Sequence, residues 1–310
     1  MRLFKKTNID FLGKRKMWYA VSGTMMLIGL FGLLFRGITL GIDFRGGTQL
    51  IVAFDQNVEI SAIRMPLEKI GYGKAEIKYY GAPNNVVILV SEQEAGTQAG
   101  DKIKSALSSA MAGHNVQILK EDKIGPKIGQ ELRRDALLAV LWALIAILSY
   151  IAIRFKFKYG LGAVIAIVHD VFTTFGFIAL LNDVVGINLE MTQEVIAAFL
   201  TLIGASVSDT VIIFDRIREN QKIYRSMPLM DVMNKSLNET LSRTIITSGT
   251  IFMVLMILLF FGGEVNRGFA FTMAFGIVTG TYSSIYVASA FVLDWTNYRN
   301  KKRAAAALKK

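Results

Sequence analysis

An aspartate, Asp209, interrupts the apolar run from Val195 to Phe214. A second, Asp170, follows His169 near the centre of the run from Leu161 to Leu181, and Arg243 opens another run ahead of Thr244, Thr247, Ser248 and Thr250. An Asp near the centre of a membrane helix costs on the order of 2.5–3.5 kcal/mol, so such a residue should face other helices and mark a functional path. Desolvation opposes ionisation of a carboxyl, whereas a nearby cation favours it. A carboxyl held between these effects can take a proton on one side of a membrane and release it on the other. The plainer alternative is a structural Asp that hydrogen-bonds helices together, served by the small neighbours Gly204, Ala205, Ser206 and Ser208, which permit close packing. On this span alone the two readings stand level.

Adjacent residues on a helix point about 100° apart. His169 and Asp170 are therefore not expected to converge on one point, and a metal site built from them is not expected. A polar relay or an interhelical hydrogen bond suits them better. Arg243 is the candidate cation for the acids, although its position equally fits an interfacial arginine that snorkels to water. Asp215, Arg216, Arg218 and Glu219 have i,i+3 spacings and read either as a solvated helix end with local ion pairs or as groups that bind a neighbouring loop. Gly276 and Gly280 form a GxxxG spacing, which supports a tightly packed bundle.

The elements that must hold these groups follow from composition. The chain has 310 residues, of which 53% are hydrophobic, and four prolines, which is more apolar surface than a soluble domain can cover. With no cysteine there is no disulfide, thiolate metal site or cysteine nucleophile, and two histidines supply zinc chemistry poorly. The formal charge of +11 sits beside the apolar runs, so it reads as a topology signal and not as a nucleic-acid surface.

A bilayer core of about 30 Å needs roughly 20 helical residues. Six runs qualify, at about 17 to 35, 136 to 153, 161 to 181, 195 to 214, 244 to 261 and 268 to 293. With about 1.5 Å of rise per residue, Asp209 lies roughly 7 Å from the midpoint of its span. The first run follows a basic head, residues 1 to 16, and is too long for the apolar part of a signal peptide, so it is expected to remain as an anchor. Six Lys and Arg precede it (Arg2, Lys5, Lys6, Lys14, Arg15, Lys16), three lie at 154 to 158, six at 215 to 243 and six after Trp295, whereas the link 182 to 194 carries none. That asymmetry places both termini and the 215 to 243 loop in the cytoplasm, and residues 36 to 135 outside. The external stretch alternates as a strand at 48 to 55, has helical spacing at 60 to 70, and shows a hairpin at 75 to 90 around Gly-Ala-Pro-Asn. A second helix at 97 to 111 capped by Gly113 and a strand at 115 to 120 complete a βαββαβ ferredoxin-like order. His114 reads as an exposed turn residue. The expected fold is thus an all-α bundle of six transmembrane helices with a small α+β domain between the first two.

The segments Gly41-Ile-Asp-Phe-Arg-Gly-Gly-Thr48, Gly204-Ala-Ser-Val-Ser-Asp-Thr210, Phe214-Asp-Arg-Ile-Arg-Glu-Asn220 and Ser242-Arg-Thr-Ile-Ile-Thr-Ser-Gly-Thr250 occur in this order. Together they resemble the SecD/SecF family of protein-export membrane proteins, in the resistance-nodulation-division superfamily, over essentially the whole chain. The resemblance implies a non-enzymatic subunit of the bacterial cytoplasmic membrane. It implies that proton flow helps draw unfolded preprotein from the SecYEG channel after SecA has pushed it, with SecD as the partner that supplies the other half of the assembly. Protons as coupling ion, and no other cofactor, are implied; membrane lipid surrounds it and no nucleic acid is bound. By motif position, Asp209 and Arg243 are the coupling residues, while Asp43, Gly46, Gly47, Asp215 and Arg216 belong to the family signatures. Ser208 stands where many relatives are expected to carry Asn, and as a hydrogen-bond donor it changes little. A superfamily exporter of small molecules would carry about twice as many spans and external domains, a purely structural translocon subunit would not need an ionisable Asp209, and an intramembrane enzyme lacks a Ser-His or paired-ligand pattern.

Overall fold

The structure, a computed structural model, describes residues 7 to 90, 98 to 111, 115 to 182, 184 and 186 to 307. Gly113 and His114 fall outside them. The chain divides into two compact units, one of Met1–Ile38, Val140–Val185 and Glu194–Lys310, the other of Thr39–Ala139 and Gly186–Gln193.

In chain order the elements are α1 (Arg15–Phe35, preceded by a 3₁₀ turn, Leu12–Lys14), α2 (Ile42–Arg45), β1 (Gly47–Phe54), α3 (Ile60–Lys69), β2 (Glu76–Tyr80), β3 (Ala82–Val90), α4 (Gln98–Ala110), β4 (Val116–Ile124), α5 (Pro126–Arg154), α6 (Phe157–Leu181), α7 (Gln193–Ile223), α8 (Leu229–Phe261), α9 (Glu264–Ser283), a π-helical turn (Ser284–Ala288) and α10 (Ser289–Ala307). Among the described residues six helical segments are long and apolar enough to cross a membrane: Leu12–Phe35, α5, α6, α7, α8 and Val265–Ala307. A helix satisfies its own backbone groups where no water can, which is why unbroken apolar runs take this form. The protein is a multi-pass membrane protein.

The helices outrun the expected spans. α7 has 31 residues, or about 46 Å at about 1.5 Å per residue, against a hydrocarbon core of about 30 Å. The 215 to 243 stretch, expected as a loop, is helical except near Tyr224–Pro228, because its charged residues are good helix formers that find partners across α7 and α8. The sixth span, expected as one helix, is one helical segment that carries a π turn, where Ser289 Oγ donates to the Ser284 carbonyl at 2.9 Å.

Small residues set the spacing of the bundle. A Cβ built on Gly176 of α6 would fall 2.3 Å from the Cα of Gly29 in α1, and one on Gly276 of α9 would fall 2.5 Å from the Leu202 side chain of α7. Backbones and side chains therefore meet where lipid-soluble helices can associate only by close contact. Phe214 is fully buried and stands edge-on to Phe155 and Tyr159.

In the second unit the strands form one antiparallel sheet in the order β2-β3-β1-β4, the split βαβ arrangement that the sequence pattern predicts. Leu50, Val52 and Phe54 alternate onto the face that packs Ile63 and Leu67 of α3 and Ile103 and Leu107 of α4. The hairpin is tighter than expected. Gly81, at φ +74°, makes the reversal by itself, Tyr80 pairs with Ala82, and Pro83 and Asn84 already belong to β3. The stretch Gly186–Gln193, expected as a bare link, belongs to this unit: Leu189 and Met191 are buried, and Glu190 accepts from Lys78 Nζ at 3.1 Å.

Candidate functional site in the helical bundle

The Asp170 carboxylate lies at the meeting of three helices. Its Oδ2 accepts from Ser206 Oγ of α7 at 2.6 Å and from Ser283 Oγ of α9 at 2.8 Å. Its Oδ1 is 2.9 Å from Nδ1 of His169, and both side chains are buried. The two side chains touch each other, and their other partners differ: Tyr282 for His169, Ser206 and Ser283 for Asp170. The Cβ vectors diverge, but the side-chain rotamers bring the ring nitrogen back to the carboxylate. His169 Nε2 is 2.7 Å from the Tyr282 hydroxyl, which in turn is 3.2 Å from Ser22 Oγ of α1. A continuous polar chain thus links α1, α9, α6 and α7. Gly280 makes room for it, since a Cβ there would lie 3.3 Å from Ser206 Cβ and 3.5 Å from Asp170 Oδ2.

Asp209 faces the opposite neighbour of α7. It is 8% exposed, and its Oδ2 accepts from Ser248 Oγ of α8 at 3.1 Å. Beside it, Thr210 shares a hydrogen bond of 2.8 Å with Ser284 of the π turn. Arg243 is exposed, and no ion pair within 4.0 Å joins it to Asp209. Asp209 and Arg243 therefore do not close on each other, while His169 and Asp170 form a separate cluster whose contact on α7, Ser206, lies one turn before Asp209.

At the far end of α7, Asp215 pairs with Arg154 of α5 and with Arg218. Arg216 donates to Glu219 at 2.7 Å and to Glu239 of α8 at 2.6 Å. Asn220 adds bonds to Glu239 at 2.8 Å and Ser236 at 3.0 Å. Both sequence alternatives hold in part: local i,i+3 pairs exist, and the same residues tie α7 to its neighbours. Asp215, Arg216, Glu219 and Glu239 line a cleft of about 1490 Å³ that Asp10 and Arg243 also line.

The signature residues Asp43, Gly46 and Gly47 lie in the α+β unit. Asp43 Oδ2 accepts from the backbone N–H of Gln193 at 3.0 Å. Among the described residues no three His, Asp or Glu side chains gather as a metal site requires. Sequence reading overlooked Tyr282 and Ser283; the polar run Thr281-Tyr-Ser-Ser284 inside the last apolar span was the available signal.

A family model described as protein export membrane protein SecD/SecF, C-terminal, matches residues 103–298, and one described as the SecD/SecF GG motif matches residues 31–58. The protein translocase subunit SecF of Rhodothermus marinus is 42% identical over 95% of this chain and 95% of its own length. The SecF subunit of Thermodesulfovibrio yellowstonii is 43% identical over 94% and 96%. The crystal structure of SecDF from Thermus thermophilus, titled a translocon-associated membrane protein, superposes with a TM-score of 0.83 at 36% identity and covers 94% of this chain. A second SecDF structure, titled as a super-membrane-facing form, gives a TM-score of 0.71. This chain spans nearly the whole of the SecF relatives but only 39% and 41% of the two SecDF chains. On near-full-length identity of this order and on both family matches, the chain belongs to the SecD/SecF family of protein export membrane proteins.

Proposed function

We propose that this chain is the SecF-type half of a proton-driven export device in the bacterial cytoplasmic membrane. It works with SecD and the SecYEG channel to complete the translocation of unfolded preproteins, with both termini in the cytoplasm and residues 36 to 135 outside. In this reading protons are the coupling ion, and no chemical reaction is catalysed. The basic residues beside the spans support the orientation, and the match to about two fifths of SecDF chains supports a second subunit that supplies the rest.

The observation that carries the reading is the contrast between the two buried carboxylates. Asp170 is held by His169, Ser206 and Ser283, a donor set suited to a fixed group. Asp209 is met by one hydroxyl, Ser248 of α8, and by no ion pair within 4.0 Å. Protonation of Asp209 removes its attraction for Arg243, and release of the proton restores it, so α7 and α8 gain two arrangements to choose between. One charge crossing 100 mV is worth about 2.3 kcal/mol, enough to bias such a pair roughly 50-fold. A pull on a long chain then takes repeated cycles.

The test is potential-dependent completion of preprotein export in membrane vesicles containing Asp209→Asn. Loss of the potential-stimulated fraction is expected, with Arg243→Met losing a similar share. Full stimulation in Asp209→Asn would leave Asp209 as a packing residue and end the proton reading.

A further inference from the structure

Residues 39 to 47 form a strap against the starts of two long helices. Thr39 O accepts from Met191 N–H and Gly41 N–H donates to Met191 O, each at 2.8 Å, so the strap runs beside the chain that leads into α7. Gln193 is the first residue of α7, and its N–H is one of those a helix start leaves without an intrahelical partner. Asp43 Oδ2 accepts it at 3.0 Å, placing a carboxylate where the helix dipole favours negative charge.

The strap then turns through Gly46 and Gly47, at φ +74° and +129°, conformations that residues with a side chain adopt only under strain. A Cβ on Gly46 would lie 3.2 Å from the Pro126 Cα, and one on Gly129 would lie 3.1 Å from Gly46 N, so the start of α5 rests on the glycine turn. Ion pairs fasten the same chain to the sheet. Glu190, 8% exposed, lies 3.1 Å from Lys78 Nζ and 3.8 Å from Arg45, which itself pairs with Glu76 at 3.1 Å.

We propose that Asp43 is a positioning residue for the coupling helix: it caps α7, the helix that carries Asp209, so that the signature strap and the start of α7 move as one body. Gly46 does the same for α5 by close backbone approach to Pro126 and Gly129. This rests on the proton reading of Asp209 for its purpose, and on the cap geometry for its existence.

Two measurements separate those dependencies. In the assembled complex, hydrogen exchange at the amides of Gln193 to Ile196 should quicken about fivefold in Asp43→Ala, the order expected for a lost cap. It should stay near wild type in Asp43→Asn, which keeps an acceptor oxygen. Unchanged exchange in Asp43→Ala overturns the inference whatever becomes of Asp209, since no transport is involved. In vesicles, Asp43→Ala should lose most of the potential-stimulated export but keep the potential-independent part, and Asp43→Asn should recover it. Adding Asp43→Ala to Asp209→Asn should cost nothing further. An equal loss in the Ala and Asn variants, or an additive loss in the double variant, overturns it. If Asp43→Ala does not accumulate, Gln193→Pro removes the donor instead at a position where helices accept proline, and the same export defect is expected. Normal stimulation in Gln193→Pro counts against the cap.

Discussion

Replacing Gly176 by Ala tests how the bundle is spaced. The new methyl would start 2.3 Å from Gly29 Cα and 2.5 Å from its carbonyl carbon and oxygen, roughly 1.2 Å short of a carbon contact of about 3.5 Å. Every atom it meets is backbone, so no rotamer change relieves the clash, and α1 must retreat from α6. Overpacking of this kind costs about 1–3 kcal/mol. With roughly 2–4 °C lost per kcal/mol in chains somewhat smaller than this one, Tm should fall by several degrees. The retreat should also break the 3.2 Å contact of Ser22 with Tyr282. The reciprocal change, Gly29→Ala, is predicted to be much milder, because its Cβ would meet Gly176 Cα at 3.4 Å. Thermal unfolding of both variants in the same detergent is the assay. A wild-type Tm for Gly176→Ala, or a larger drop for Gly29→Ala, would refute the reasoning.

Tyr282→Phe removes the hydroxyl between His169 and Ser22; it should lower stability by about 1 kcal/mol, and a larger fall in potential-driven export than in Tm would mark the polar chain as a relay. The α+β unit should weaken in acid. Burial alone would push Glu76 up, but the hydrogen bond and charge of Lys78, with those of Arg45, outweigh it and hold the carboxyl below its ordinary 4.5. A depressed folded value means that this stabilisation is fully present above about pH 4.5 and drains away as pH falls through the folded value, so Glu76→Gln should flatten the acid limb of a stability–pH curve. Lys78 is shifted the other way: burial lowers it, yet Glu76 and Glu190 together raise it above its ordinary 10.5. Its contribution should therefore persist through neutral pH and fade only on the alkaline side. Arg216→Ala should change Tm by no more than about 2 °C, since partly exposed pairs such as those with Glu219 and Glu239 are worth at most about 1 kcal/mol.

The six spans and the βαββαβ unit are legible in the sequence because each rests on local periodicity: long apolar runs for α5 to α8, alternation in β1, turn residues before β3. Helix ends are less legible, since Asp215 to Asn220 continue α7 on charged residues whose partners, Arg154, Ser236 and Glu239, come from other helices. The burial of Asp170 and Asp209 follows from their runs, but their partners do not. Tyr282 meets His169 only through the rotation and height of two helices packed side by side, and neither quantity has a sequence period. The nearness of His169 to Asp170 escapes a rule about Cβ directions because rotamers decide it. Asp43 is marked in the sequence as a signature residue, but its partner Gln193, 150 positions away, is not.

The π turn at Ser284–Ala288 holds one residue more than an α-helical path would. Each residue of a helix advances by about 100°, so the extra one sets the phase of everything after it. Ser289, Ala290, Val292 and Leu293 are buried only because of that offset. Deleting one residue within the bulge would turn everything after it by about 100° and carry Asp294 into the buried place of Leu293, cutting Arg15 and Tyr19 off from the carboxylate they share at 2.9 and 3.2 Å. One surplus amino acid thus decides which side of the last span greets the first.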